Sequence, residues 1–184
     1  RIERALKLIQ KGEPITRGTL QTVFERNAFD ELRRLGLQGD TEALIRATFP
    51  KQTGMLTVSQ VIPDSPADGK LQPGDILVRI DDALTTEFVP LAAVLDDKVG
   101  QSITVEVVRG GRTIKEEISV TDLHEISPSE FLEFGDAVVN NLSYQQARHY
   151  NQTIEGVYVA NPGYIFSRAA IPRGAVIIEV AGER

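Results

Sequence analysis

One sequence pattern occurs twice in this chain, about 100 residues apart. The run LQPGDIL at residues 71–77 is similar to IPRGAVI at residues 171–177, and residues 58–63 are similar to residues 157–162. This spacing is the size of one small domain and exceeds a solenoid repeat of roughly 20–45 residues. The 184-residue chain is therefore predicted to hold two similar modules in tandem. The second is expected to be incomplete, because the sequence stops before counterparts of the later elements of the first.

The segments around these motifs predict a mostly β architecture with flanking helices. Amphipathic spacing predicts helices at residues 2–11, 27–36 and 87–98. Apolar or alternating runs predict strands at residues 20–24, 55–62, 76–80, 102–109 and 113–120, the last two joined by a Gly-Gly turn. In the second copy we expect a loop at residues 133–138, a helix at residues 143–150 capped by Ser143, and a strand at residues 175–180.

The composition excludes several classes of function. The 20 basic and 26 acidic side chains give a net charge of −6, which argues against a nucleic-acid surface. Cysteine is absent. The sequence also lacks a run of about 18 apolar residues, the length needed to span a membrane. Only His124 and His149 could act as an imidazole base, and no Gly-x-Ser-x-Gly motif accompanies them. The Asp96-Asp97 pair ends a predicted helix and is expected to be solvated. We therefore predict no catalytic residue, no metal site and no cofactor.

Two motifs carry a family resemblance. The Leu-x-Pro-Gly-Asp-Ile-Leu run at residues 71–77 resembles the central signature of PDZ domains, in which Pro and Gly allow a tight return into a buried strand. The order of elements, together with residues 5–12 followed by Arg17-Gly18-Thr19-Leu20, resembles the last protease helix and linker of HtrA/DegP-type serine proteases. Within that family the chain is most similar to the fungal nuclear, pro-apoptotic branch.

The resemblance implies a fold class and a domain organisation. The fold is expected to be α+β and mostly β, a PDZ-like partly open β-sandwich or barrel with flanking helices, in tandem and with the second copy incomplete. Residues 1–16 would be a linker helix from a preceding protease domain. Residues 17–121 would be the first PDZ domain, and residues 122–184 the truncated second one.

The resemblance also implies a peptide-binding groove in the first module. A peptide would add as an extra strand beside residues 20–24, with its terminal carboxylate held by the backbone N–H groups of residues 20–22. The predicted site residues are Arg17, Gly18, Leu20, Gln21, Thr22, Phe24, Phe88, Leu91, Ala92 and Leu95. Gln21 departs from the family, which has Gly there, and a side chain at this position could narrow or occupy the loop. In the second copy, residues 133–138 would form the matching loop, where Asp136 would repel a peptide carboxylate.

The function that follows is regulatory. The chain would be the peptide-binding segment of an HtrA-like serine endopeptidase, recruiting substrate C-termini or controlling protease assembly, without catalysis of its own. Its partners would be peptide C-termini or unfolded segments, protease domains of the same chain and further copies in a homo-oligomer, with no nucleic acid and no membrane. The location implied is intracellular and nuclear. Two alternatives stay open: a PDZ scaffold without a protease, and architectural modules whose grooves are blocked, as Gln21 and Asp136 would favour.

Overall fold

The computed structural model describes residues 2–182, which fall into two compact units. The first unit ends at Asp122 and the second begins at Leu123. Each unit has its own antiparallel sheet. In the part of the chain that the structure describes, these sheets are open and do not close into a barrel. The expected class is confirmed: a mixed, strand-rich fold in tandem.

Eight strands and four helices make up the first unit. The helices are α1 (Ile2–Lys11), α2 (Phe29–Arg34), α3 (Gly39–Thr48) and α4 (Phe88–Asp97). The strands are β1 (Gly18–Thr19), β2 (Thr22–Ala28), β3 (Gly54–Val61), β4 (Ile76–Ile80), β5 (Ala83–Leu84), β6 (Ser102–Arg109), β7 (Arg112–Ser119) and β8 (Thr121–Asp122). The main sheet runs β2-β3-β4-β6-β7, with β5 on β4, and β1 pairs separately with β8.

Strand β4 is apolar along nearly its whole length because both of its faces are covered. Leu77 and Ile80 belong to one buried cluster, which α4 closes through Leu91 and Leu95. On the opposite face, other β4 residues pack with α2 and α3 in a second cluster. That cluster contains Phe29, Leu32, Leu37, Ile45, Met55, Ile76, Val78 and Val108. The sheet therefore has α4 on one side and α2 with α3 on the other.

The predicted bounds of β4 and β6 are confirmed, whereas the strand predicted at residues 20–24 is displaced. Leu20 and Gln21 lie between β1 and β2, and the strand runs on to Ala28. Gln21 has a φ of 55°, a left-handed conformation that interrupts an extended chain. A register shift between Val23 and Phe24 breaks the alternation further. Leu20 and Phe24 nevertheless pack in the same buried cluster, although Leu20 lies outside the strand.

A buried ion pair joins β4 and β6 in the first unit. Asp75, at the start of β4, is fully buried, and both of its carboxylate oxygens accept hydrogen bonds from Arg109 at 2.7 Å. The backbone N–H of Gln72 also donates to this carboxylate, at 2.8 Å. Hydrogen bonding to Asp75 raises the pKa of the Arg109 guanidinium, although partial burial opposes the shift. The Pro-Gly-Asp turn is thus fixed to the last residue of β6.

Within residues 123–182, the second unit has four strands and two helices. They are β9 (Leu132–Phe134), β10 (Ala137–Asn141), α5 (Tyr144–Tyr150), β11 (Val157–Asn161), α6 (Gly163–Arg168) and β12 (Val176–Ile177). The sheet order is β12-β11-β10-β9. The predicted cap is confirmed, because Ser143 Oγ accepts from Gln146 N–H and the Gln146 side chain accepts from Ser143 N–H, a complete capping box. The strand predicted at residues 175–180 is shorter, since β12 spans Val176–Ile177 and Val180 forms only an isolated bridge.

Hydrogen bonds fix the correspondence between the two units. Gly74 N–H donates to the carbonyl of Val58 at 2.8 Å, and Gly174 N–H donates to the carbonyl of Val159 at 2.9 Å. Gly74 is equivalent to Gly174, as the sequence predicts, but Val58 is equivalent to Val159 and not to Val157. The predicted alignment of residues 58–63 with 157–162 is therefore wrong by two residues. Strand β11 is the equivalent of β3, and β10, its antiparallel neighbour, is the equivalent of β2.

Candidate functional site

Helix α4 presents an open apolar groove on the first unit. A cavity of about 390 Å³ is lined by Phe88, Val89, Leu91, Ala92 and Leu95. Leu91 and Leu95 are buried, whereas Phe88 is 48% and Val89 72% exposed. Exposed apolar side chains that line a concavity next to a core are typical of a surface that binds an apolar partner. Four of these five residues were predicted from the sequence, and Val89 was missed.

Strand β2 lies at the edge of the main sheet. Among residues 2–182, β3 is its sheet neighbour on one side and no strand pairs with its other side. Phe24 is half-buried and packs against the cluster that contains Leu20, Leu91 and Leu95. Phe24 and the inner face of α4 therefore pack on the same side of the sheet, while the cavity itself is lined by α4 residues. This is the arrangement expected if an extended peptide adds to β2.

The loop before β2 is closely folded. Gln21 is 8% exposed, and its side-chain Nε2 lies 3.5 Å from Thr121 Oγ1 on β8. The Gln21 N–H donates to Thr19 Oγ1 at 2.9 Å, and Thr22 Oγ1 donates to the Leu20 carbonyl at 3.3 Å. Of the three N–H groups predicted to face a carboxylate, that of Gln21 is thus already engaged. The Gln21 side chain is not among those that line the α4 groove.

The loop is fastened to the end of α4 through Asp96, an arrangement that we call the Asp96 clamp. The Asp96 side chain is 1% exposed. It accepts from Gly18 N–H at 3.1 Å and from Arg17 Nη1 at 3.4 Å. Its carbonyl, one of those left over at a helix C-terminus, accepts from Thr16 Oγ1 at 2.9 Å and from Arg4 Nη2 at 2.6 Å. The clamp therefore connects α1, the loop and α4.

The clamp changes the interpretation of two predicted site residues. Arg17 pairs with a buried carboxylate and so does not point its charge freely at the loop. Gly18 packs its Cα against the Leu95 carbonyl, where a Cβ would overlap the backbone. The expectation that the Asp96-Asp97 pair is solvated is wrong for Asp96 and correct for Asp97, which is exposed. The buried role of Asp96 was missed because neither Arg17 nor Gly18 is near it in sequence.

The segment predicted as the matching loop of the second unit is a tight hairpin turn. Gly135 and Asp136 have φ angles of 52° and 61°, the signature of a type I′ turn. They join β9 to β10, whose residues pair antiparallel from Ala137 with Phe134 to Val139 with Leu132. The prediction that residues 133–138 form a loop like that of the first unit is therefore wrong.

Two further features bear on function. Within residues 2–182, no three acidic or histidine side chains are grouped as metal ligands would be. None of the helices in that same stretch combines the length and apolar character needed to traverse a bilayer.

Comparison with known protein families identifies both units. Residues 57–109 match the PDZ domain family, and residues 125–184 match the PDZ-like domain family. The two matches fall in different structural units. They confirm the PDZ resemblance that the motif at residues 71–77 and its repeat at residues 171–177 indicate.

Curated relatives carry protease names. "Protease Do-like 7" of Arabidopsis thaliana is 46% identical over 194 residues, covering 100% of this chain and 18% of the relative. "Pro-apoptotic serine protease nma111" of Aspergillus clavatus is 43% identical over 177 residues, covering 96% of this chain and 17% of the relative. The chain thus spans less than a fifth of the length of these relatives.

A solved structure is similar to part of the chain. "HtrA-type protease AlgW with decapeptide" has 24% sequence identity and a TM-score of 0.48, over 66% of this chain and 34% of that protein.

Proposed function

The chain carries two PDZ domains in tandem, of the type found in HtrA-like proteases, and we propose that the first one binds the apolar C-terminus of a peptide. The peptide would add to the open edge of β2, and its last side chain would enter the α4 groove. The observation that carries this proposal is that no strand among residues 2–182 pairs with the outer side of β2, while Phe24 of β2 packs against the same cluster as the inner face of the α4 groove. Backbone hydrogen bonds would supply affinity, and the groove would supply selectivity.

The chemistry of the loop supports a carboxylate as the terminal group. Amides around a left-handed residue form a concave anion site. Because the Gln21 N–H donates to Thr19 Oγ1, the N–H groups of Leu20 and Thr22 on either side of it are the ones proposed to bind the carboxylate. Arg17 lies next to this loop but is neutralised by Asp96. We therefore expect the carboxylate to be held by backbone dipoles more than by a cationic side chain.

A matched pair of substitutions tests the groove. Ala92 lines the groove, whereas its neighbour Ala93 is exposed and outside it. We expect Ala92→Glu to lower the affinity for peptides ending in an apolar residue by about tenfold or more, because the carboxylate would be desolvated against the peptide side chain. Ala93→Glu should bind as the parent does. The measurement is calorimetric titration with a C-terminal peptide library, and each peptide is repeated with an amidated C-terminus.

The outcomes separate the alternatives. Equal affinities for Ala92→Glu and Ala93→Glu would place peptide binding elsewhere. Equal affinities for free and amidated peptides would show that the terminal carboxylate does not contribute to binding. The absence of binding by the parent would favour the architectural role, in which the grooves are blocked.

Gln21 gives a second prediction. A left-handed conformation costs a non-glycine residue roughly 1–2 kcal/mol, and glycine removes this cost and allows closer approach to a ligand. We expect Gln21→Gly to strengthen binding of an apolar C-terminal peptide by a few fold, measured by the same titration. Unchanged or weaker binding would mean that the buried Gln21 side chain supports the loop rather than restricts it.

For the whole protein, we propose that hydrolysis and substrate recruitment are carried out by different domains. Hydrolysis would be carried out by serine protease domains outside this chain, and the tandem PDZ segment would recruit substrates or control protease assembly. The names of the curated relatives support a protease context and weigh against the PDZ scaffold without a protease. A nuclear location for the protein is likewise a proposal, drawn from the likeness to the fungal pro-apoptotic branch.

A further inference from the structure

The two units differ at one corresponding strand edge. Among residues 2–182, no strand pairs with the outer side of β2 in the first unit, whereas its equivalent in the second unit, β10, is paired there by β9. The pairing is antiparallel, which is how one strand follows another through a hairpin. In the second unit the position of an added peptide strand is thus taken by residues of the same chain.

The side chains of β9 also point where those of a peptide would. Residues opposite each other in an antiparallel pair share one face of the sheet. Leu132 lies opposite Val139, and Phe134 lies opposite Ala137. Val139 and Ala137 are buried, so Leu132 and Phe134 are on the core side. Leu132 also lines a cavity of about 380 Å³ together with Val139.

This strand is weakly held in its place. All three of its residues are exposed, Leu132 at 60% and Phe134 at 38%. Besides its three-residue backbone pairing with β10, Phe134 makes a T-shaped ring pair with Phe166, at 5.4 Å between centroids. A Cβ placed on Gly135 of the following turn would lie 3.3 Å from Ile165. In contrast, β10 is fixed by its pairing with β11 and by buried side chains. Departure of β9 would therefore leave the rest of the sheet in place.

We propose that β9 is a built-in pseudo-ligand of the second PDZ domain. It covers the β10 edge, and this domain accepts an extended apolar segment only after β9 has left. The occupant to which we commit is the chain's own segment at residues 129–134, SEFLEF. The inference rests on the proposed strand addition in the first domain, but its test is read at β10 and stands independently of the first groove.

The test uses the 184-residue chain in three forms. Leu132→Pro removes a backbone N–H and restricts φ, which disfavours strand pairing. In the second form, Glu133→Cys is combined with Val138→Cys. These residues are directly opposed, a separation that suits a disulfide. Because the chain has no native cysteine, oxidation locks β9 in place without competing bridges. The parent is the third form.

The readout is amide hydrogen exchange of residues 137–141, with and without a synthetic SEFLEF peptide capped at both termini. We expect Leu132→Pro to exchange about tenfold faster or more than the parent, and the peptide to restore its protection. The oxidised double-cysteine form should stay protected, and the peptide should not affect it. The proposal is overturned if the proline variant exchanges as slowly as the parent. It is equally overturned if the peptide protects none of the forms, or protects all three alike.

A folding control accompanies the exchange experiment. All four tyrosines lie in the second unit, so near-ultraviolet circular dichroism reports its packing. If Leu132→Pro loses this signal, Phe134→Ser takes its place, because it removes the ring contact with Phe166 and keeps every backbone N–H. The same exchange criteria then apply to Phe134→Ser.

Discussion

Replacing Arg109 by alanine is expected to destabilise the first domain by about 3–5 kcal/mol, the usual cost of removing one partner of a buried ion pair. Asp75 would be left buried with a single backbone donor, Gln72 N–H. Arg109→Lys should recover only part of the loss, since a lysine cannot make the two parallel hydrogen bonds of the guanidinium. The measurement is urea unfolding followed by far-ultraviolet circular dichroism.

The control for this experiment is Arg112→Ala. Arg112 is exposed and begins the neighbouring strand β7, so its removal should change stability by less than about 0.5 kcal/mol. Hydrogen exchange of β4 and β6 would assign the effect to the first domain. Similar losses for Arg109→Ala and Arg112→Ala would show that the bidentate pair contributes nothing specific. The second domain has Ala175 after the corresponding Gly174, so it does without this pair.

The second large effect is expected at Gly18. A Cβ there would overlap the Leu95 carbonyl, so Gly18→Ala must separate the loop from α4. We expect a loss of about 1–3 kcal/mol in stability, as for other overpacked sites, and a loss of peptide affinity of about tenfold or more. The affinity should fall because the Asp96 clamp sets the distance between the loop before β2 and the α4 groove.

Gly39 provides the matched glycine. It begins α3, has open space around its Cα, and alanine favours a helix by about 1 kcal/mol over glycine. Gly39→Ala should therefore leave stability unchanged or raise it, with peptide affinity as in the parent. Thermal unfolding and the calorimetric titration measure both quantities. If Gly18→Ala bound peptide normally, the clamp would have no part in positioning the groove.

The parts of the fold that could be predicted are those with a strong local pattern. Strands β4 and β6 were predicted at their observed bounds because long apolar runs are bounded by turn residues. Helix α4 is one residue shorter at each end than predicted. Most of the groove residues could be predicted as well, because they recur on one face of that helix.

The errors arose where a single backbone conformation or a distant contact decides the structure. Because Gln21 is left-handed, β2 begins after it and not at Leu20 as predicted. The strand also extends through the polar stretch Glu25–Asn27, which has no apolar alternation that would predict a strand. Gly135-Asp136 was matched to the first loop by position, although two consecutive positive φ angles make it a hairpin turn. Asp96 is buried by residues roughly 80 positions away, a contact that spacing in the sequence does not indicate.

The β2 edge that is proposed to receive a peptide would be equally open to a second copy of the chain, and the sequence of β2 discourages such aggregation. Beyond the register shift at Val23 and Phe24, the strand continues with the exposed charges of Glu25 and Arg26. Charged side chains and bulges on an edge disfavour pairing between whole sheets. The uncharged stretch that remains, Thr22–Phe24, is long enough for the last few residues of a peptide and too short to template a fibril.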